Sequence, residues 1–155
     1  MPEVAQTNVT PSYEIEFGVC ITGRPSSEEM ESAEYTTVKD AESLAISING
    51  NVEEWKPMDM KGWMRRLMTG KDLSISMGGK RNYGDPGNDY VASLMMKTGQ
   101  DCNTVMKITF PNLDVIYMPC VINVTSGGGE STSIGALEWE ALSDGKPKYV
   151  EHVAA

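Results

Sequence analysis

Apolar and polar residues alternate with period two over much of the chain, the signature of half-buried β-strands. Tyr13, Ile15, Phe17, Val19 and Ile21 fall on one face of an expected strand, with Glu14 and Glu16 on the other. Leu44 to Ile48 alternates in the same way, and Asn49-Gly50-Asn51 after it predicts a tight turn. Trp63–Met68, Thr69–Asp72 and Leu73–Met77 read as strand, turn and strand. A second hairpin is expected from Val105–Phe110, the turn Pro111–Asp114, and Val115–Val124. Ala136–Ser143, a turn at Asp144–Pro147, and a strand Lys148–Val153 close the chain.

One segment changes period. Val91, Leu94, Met95 and Thr98 share a face at helical spacing, Asn88 is placed to cap, and Gly99 suits a left-handed C-terminal cap. A short helix over about 89–98 is therefore expected, packed on the sheet at an open end or edge. Many short strands with one helix predict a mainly β sandwich or barrel. Residues 22–41 show no clear strand and are long for a loop, which is more often functional than accidental. Residues 1–12 are polar and read as an arm, and Ser126–Ser133 as a flexible connection.

With 155 residues the prior is one domain. No apolar run approaches the ~20 residues of a membrane-spanning helix, and the N-terminus does not resemble a signal peptide. Synthesis and folding in a cytoplasm are expected. The net charge of −9 argues against gripping a nucleic-acid backbone, which takes clustered Lys and Arg. The charge is unevenly spread. From Ser26 to Glu54 eight acidic residues face one Lys, and from Trp55 to Arg81 seven basic residues face two Asp. Glu28, Glu29, Glu31 and Glu34 on one side, and Lys61, Arg65, Arg66 and Lys71 on the other, are thus candidate contacts between copies. Eleven methionines, most in the middle of the chain, suit core filling or adaptable interfaces.

Catalytic chemistry finds little support. The one histidine, His152, stands three residues from the end, without the held position a general base needs. Cys20, Cys102 and Cys120 lack an activating base and a metal-type spacing, and read as reduced, buried side chains. Ser126-Gly127-Gly128-Gly129-Glu130 lacks the Gly-Lys-Ser/Thr of a phosphate loop, and Asp85–Asp89 lacks the spacing of a calcium loop. No enzyme activity, cofactor or metal is expected.

Several segments in order carry a resemblance. Glu54-Trp55-Lys56-Pro57 precedes Gly62-Trp63-Met64-Arg65-Arg66-Leu67-Met68-Thr69-Gly70-Lys71-Asp72-Leu73-Ser74-Ile75-Ser76. Gly84-Asp85-Pro86-Gly87-Asn88-Asp89-Tyr90 opens the helix, and Gly127-Gly128-Gly129-Glu130 precedes Ala136–Tyr149. This set resembles the tail tube (major tail) proteins of long-tailed bacteriophages and prophages, over roughly Tyr13 to Val150. One departure is the turn Pro111–Asp114, where Asn-Gly is expected and Leu113 must either adopt or avoid positive φ.

The resemblance implies a β-sandwich or barrel-like subunit with a flanking helix. Six copies would form a ring and rings would stack into a hollow tube, with the inner sheets joining into one channel-lining barrel. Residues 22–41 and the terminal arms would reach between subunits. Expected partners are the chain itself, a tape measure protein in the lumen, terminator and distal tail or baseplate proteins at the ends, and genomic DNA in transit without sequence-specific binding. No membrane partner is expected, and the place of action would be the virion, after assembly in the host cytoplasm. Among polar residues alternating with core positions, Glu138, Glu140, Ser47 and Asn49 are candidates for the channel wall. Neighbouring alternatives are the inner tube of a contractile tail or of a phage-tail-like bacteriocin. A ligand-binding β-sandwich is a further alternative, and would want an exposed aromatic platform.

Overall fold

The computed structural model describes residues 9–152. The first eight residues of the expected arm, and Val153 at the end of the expected last strand, lie outside them. Seven strands and one helix follow in the order β1 (Glu16–Val19), β2 (Ala41–Trp55), β3 (Arg65–Lys80), α1 (Pro86–Ser93), β4 (Asn103–Thr109), β5 (Val115–Gly128), β6 (Ala136–Ser143) and β7 (Lys148–Val150). The fold is mainly β, as expected. All pairings are antiparallel, in the spatial order β1-β4-β5-β6-β3-β2, with β7 also on β5.

One apolar cluster explains the shape of the sheet. Val19 of β1, Ile75 and Met77 of β3, Met106 and Ile108 of β4, Met118 and Ile122 of β5, and Trp139 of β6 are all buried in it. Alternate residues of strands across the sheet meet in one core only if the sheet curls. The curl brings the two end strands together, so that Ile15 and Phe17 face Ala41 and Leu44 across a narrow cleft. The result is barrel-like, with Val91 of α1 and Leu94 just after it packed on the core side.

The second hairpin follows the period-two pattern closely: Thr109 pairs with Val115 and Asn103 with Val121. Leu113 adopts φ +72° in its turn, where Asn112 Oδ1 accepts from the Asp114 N–H at 3.1 Å. The first expected strand is shorter than its alternation suggests. Ser12–Glu14 form a 3-10 turn, β1 starts at Glu16, and Tyr13 and Ile21 are exposed. The flexible connection is also shorter, because Ser126–Gly128 continue β5. The last strand pairs with β5, not with β6 before it in sequence.

The helix is corrected at both ends. Asp85, not Asn88, is its N-cap, accepting from the Asn88 N–H at 2.9 Å, and Pro86 takes the first helical position, where a missing N–H costs nothing. Asn88 is instead buried: its amide donates to the carbonyls of Lys39 and Lys80, and its Oδ1 accepts from the Asn82 N–H. The helix stops at Ser93, and Gly99, at φ +69°, opens a separate 3-10 turn.

Two expected turns do not exist. Asn49-Gly50-Asn51 lies inside β2, and Thr69–Asp72 inside β3. A bulge at Asn51/Val52 absorbs the irregularity, with Asn51 and Thr69 hydrogen-bonded across it at 2.8 Å, and Gly50 leaves room for the Met68 side chain. The chain reverses further on, between Trp55 and Arg65, through a 3-10 turn at Met58–Met60 and positive φ at Lys61 and Gly62. β2 and β3 thus form one long hairpin.

Residues 22–41 contain no strand of their own before β2 begins, only a bridge between Thr36 and Val19. They are seated on the chain's own sheet. Met30 is buried against Val105 and Tyr117, on the side away from the main core. Arg24 donates to Asp144 at 2.8 Å and to the Cys120 carbonyl at 2.8 Å, and Tyr35 donates to the Met30 carbonyl at 2.6 Å.

Candidate functional site

Among the described residues, no three His, Cys, Asp or Glu side chains group as metal ligands. The three cysteines are free and buried. Burial pushes the Cys120 thiol up to about 12, so it stays protonated at neutral pH and has no nucleophilic form to offer. His152 is exposed; its backbone N–H donates to Asp114 at 2.8 Å.

The informative surfaces belong to the long hairpin and its neighbours. β3 is paired with β6 only from Ser74 to Lys80. Beyond that point Ile48–Trp55 and Arg65–Leu73 run on as a two-stranded ribbon with no third strand among the described residues, about 25 Å long at ~3.4 Å per residue. A two-stranded ribbon alone is marginal in water. Of the nineteen large hydrophobic residues exposed among the described ones, nine lie between Ile48 and Met68, so unburied apolar surface is concentrated on the ribbon. Met30, Met77, Met106 and Met118 are buried, whereas Met58, Met60, Met64 and Met68 of the ribbon, and Met95 and Met96 after α1, are exposed.

The face of β2, β3, β6 and β5 away from the core is mostly small and polar, with Leu142 and Val121 in the row of Ser47 and Ser74. Register places Ala45, Ser76, Glu140 and Asn123 in one row across it, and Ser43, Gly78, Glu138 and Ser126 in the next. Ser47 lies opposite Ser74, and Asn49 opposite Asp72. The four candidate wall residues, Glu138, Glu140, Ser47 and Asn49, therefore share one face. Asn123 donates to Glu140 at 3.0 Å, and Lys80 pairs with Glu42 at 3.4 Å at one end of the face. Asp72 and Asn123 belong to this face but escape a reading of the sequence: the turn expected at Thr69–Asp72 hides one, and only strand pairing reveals the other. Both margins of this four-strand unit lack a strand partner among the described residues: β2 is the end of the order, and β4 leaves β5 at Val121.

The candidate contact residues are dispersed. Glu31 pairs with Lys148 of the same chain, and Glu29 accepts from Ser26. Glu28 and Glu34 sit on the same 22–41 segment. Glu54 pairs with Arg66 across the ribbon at 2.6 Å, so part of the expected charge separation cancels within the hairpin. Arg65 stacks over Trp55 at 5.6 Å, Lys61 is at the tip, and Lys71 at the ribbon's foot. Trp139 is buried, whereas Trp55 and Trp63 are exposed toward the end of the ribbon.

No protein-family profile matches the sequence, and no curated protein matches it. Solved structures do. The chain is similar to a subunit in the tail of an empty gene transfer agent particle, refined helically with C6 symmetry, with a TM-score of 0.71 at 16% identity over 92% of this chain and 99% of that one. It is likewise similar to a chain in the virion of the native gene transfer agent particle, with a TM-score of 0.69 at 14% identity over 92% and 99%. The fold is thus a mainly β fold found in a phage-like tail.

Proposed function

We propose that this protein is the tube subunit of a phage-type tail, and that rings of six copies stack into a hollow conduit for DNA. The observation that carries this reading is the four-strand unit, polar and acidic outside and unpaired at both margins, in a fold that the gene transfer agent tail uses under C6 symmetry. β2, β3, β6 and β5 alternate in direction. The β2 margin of one copy can therefore meet the β5 margin of the next as another antiparallel pair, and repetition closes a barrel without edges. Glu138, Glu140, Ser47, Asn49 and Asp72 then face the channel. Repeated negative charge keeps phosphates off the wall, where repeated Lys or Arg would hold them.

In this reading the 22–41 segment, with Glu28, Glu29, Glu31 and Glu34, lies between subunits, and Lys61, Arg65, Arg66 and Lys71 on the ribbon contact other copies. The chain is one tube domain with its N-terminal arm at residues 1–12. A tape measure protein fills the lumen during assembly, terminator and distal tail proteins close the ends, and the virion is where the protein acts. Negative-stain microscopy of the purified full chain is the test: hollow tubes or rings support the reading, and uniform monomers at high concentration refute it. In an infecting particle, Glu138→Lys with Glu140→Lys is expected to leave tails intact but slow DNA delivery, most at low salt. Normal delivery from normal tails would put that face outside.

A further inference from the structure

β6 accompanies β3 only as far as Ser74. There the chain leaves through Asp144–Pro147 and settles as β7 on β5. No strand among the described residues takes its place beside Arg65–Leu73, and between the foot of that edge and β7 lies an open groove of about 730 Å³. Ile48, Leu73, Ile116 and Tyr149 give it an apolar lining. Ile48 and Tyr149 are more than half exposed, at 62% and 54%, so the chain's own packing leaves the groove unfilled among the described residues.

The detour that opens the groove is fixed in place. Gly145 takes φ +103°, the Asp144 N–H donates to the Pro119 carbonyl at 2.8 Å, and the Asp144 carboxylate accepts from Arg24 at 2.8 Å. On the far side, Tyr149 Oη donates to Asp114 at 2.5 Å. The edge of β3 facing the groove is open. The Leu73 N–H points that way, since it donates to Ser143 Oγ at 3.0 Å. Backbone groups two residues apart on a strand point the same way, so Lys71 presents its N–H and C=O to the vacated lane, where no strand receives them among the described residues.

Side chains alternate in the other direction. Lys71 and Leu73 lie on the groove's face of the ribbon, whereas Asp72, although it borders the groove, carries its side chain on the opposite face with Asn49. Lys146 stands on the detour. Neither Lys71 nor Lys146 has a carboxylate partner among the described residues. Asp114 already accepts from the Tyr149 hydroxyl and the His152 N–H.

We propose that the groove receives an extended peptide segment of a partner protein, which adds antiparallel to the free edge of β3 and carries an apolar residue followed two positions later by Asp or Glu. This binding site goes beyond the tube reading and does not rest on it. Running antiparallel, the segment passes Leu73 before Lys71. Its apolar side chain lies on Leu73 and Ile48, and its carboxylate, on the same face, meets Lys71 with Lys146 across the groove. Main-chain hydrogen bonds give such a contact affinity, and alternate side chains give it specificity. A small amphipathic anion would use the lysines and the apolar lining but leave the strand edge unpaired.

The test is an NMR titration of the freshly purified, unassembled full chain with the blocked peptide acetyl-Ser-Val-Thr-Glu-Ser-amide. Saturable shifts are expected at Lys71, Leu73 and Tyr149. The Lys71 amide, on gaining a carbonyl partner, is expected to exchange with solvent about tenfold more slowly at saturation. Lys71→Glu is expected to weaken binding about tenfold, and a peptide with Lys in place of its Glu to recover it to within about threefold. Absence of saturable shifts, shifts without slower exchange at Lys71, or a charge swap that restores nothing would each overturn the proposal. So would dodecanoate filling the groove where the peptide does not, which would assign it to amphipathic anions.

Discussion

The body and the ribbon are built from the same two strands, yet they obey different rules. Between Ser74 and Lys80, β3 has a strand on each side and buries Ile75 and Met77 completely or nearly so. Between Arg65 and Leu73, the same strand keeps only β2 as a partner, and Leu67 and Met68 are left in solvent. The body satisfies its backbone and its apolar side chains within one chain. The ribbon satisfies its backbone along one line and its side chains hardly at all. A segment built in this way is stable to the extent that something else covers it, and in the proposed tube that cover is other copies of the chain.

The sharpest way to break this comparison is to make the same kind of change in both regions. Trp139→Ala removes a buried side chain from the body and is expected to cost about 3–5 kcal/mol in denaturant unfolding. Trp63→Ala, at the ribbon's tip, is expected to change the unfolding of the isolated chain by no more than about 0.5 kcal/mol, while tube formation is lost. Equal losses of stability at the two sites would erase the distinction.

A smaller effect probes how tightly the body is closed. A Cβ on Gly87 would stand 2.4 Å from the Thr37 carbonyl oxygen, where α1 crosses the end of the 22–41 segment. Gly87→Ala is therefore expected to destabilise the chain by about 1–3 kcal/mol. Alanine at Gly70, on the ribbon, meets nothing within 4 Å, and unfolding of that variant should match wild type.

The smallest effect is on pH. The His152 N–H and the Tyr149 hydroxyl, both donating to Asp114, hold its carboxyl below the usual carboxylate range. A carboxyl lowered in the folded state contributes stability above its unfolded pKa, and that contribution is lost as pH falls through the folded value. NMR shifts of Tyr149 and of the His152 amide are expected to move together below about pH 4 in wild type. In Asp114→Asn that acid transition should be absent; its persistence would assign the anchoring of β7 to another group.

Legibility in the sequence follows the same division. The β4–β5 hairpin and β6 lie where one face is buried, so alternation such as Leu137, Trp139 and Ala141 against Glu138 and Glu140 reports the pairing directly. The channel-wall candidates fall on one face for that reason. In the ribbon both faces are exposed, alternation has no buried side to report, and turn-forming residues such as Asn49-Gly50-Asn51 sit in mid-strand. The true reversal carries no Asn-Gly pair and depends on Lys61 taking positive φ, a conformation its residue type does not announce. The lack of a strand in the 22–41 segment is visible in its missing alternation, but Met30 docks on a face of the sheet that only tertiary pairing creates. The groove at the ribbon's foot joins residues from Ile48 to Tyr149 and has no local signal at all.

The most direct measurement is a helical reconstruction from images of the assembled full chain. The expected result is a hollow tube whose channel is lined by the face bearing Glu138, Glu140 and Ser47, with the exposed ribbons covered by other copies. A reconstruction with that face on the outside and the ribbons free in solvent would contradict the tube assignment.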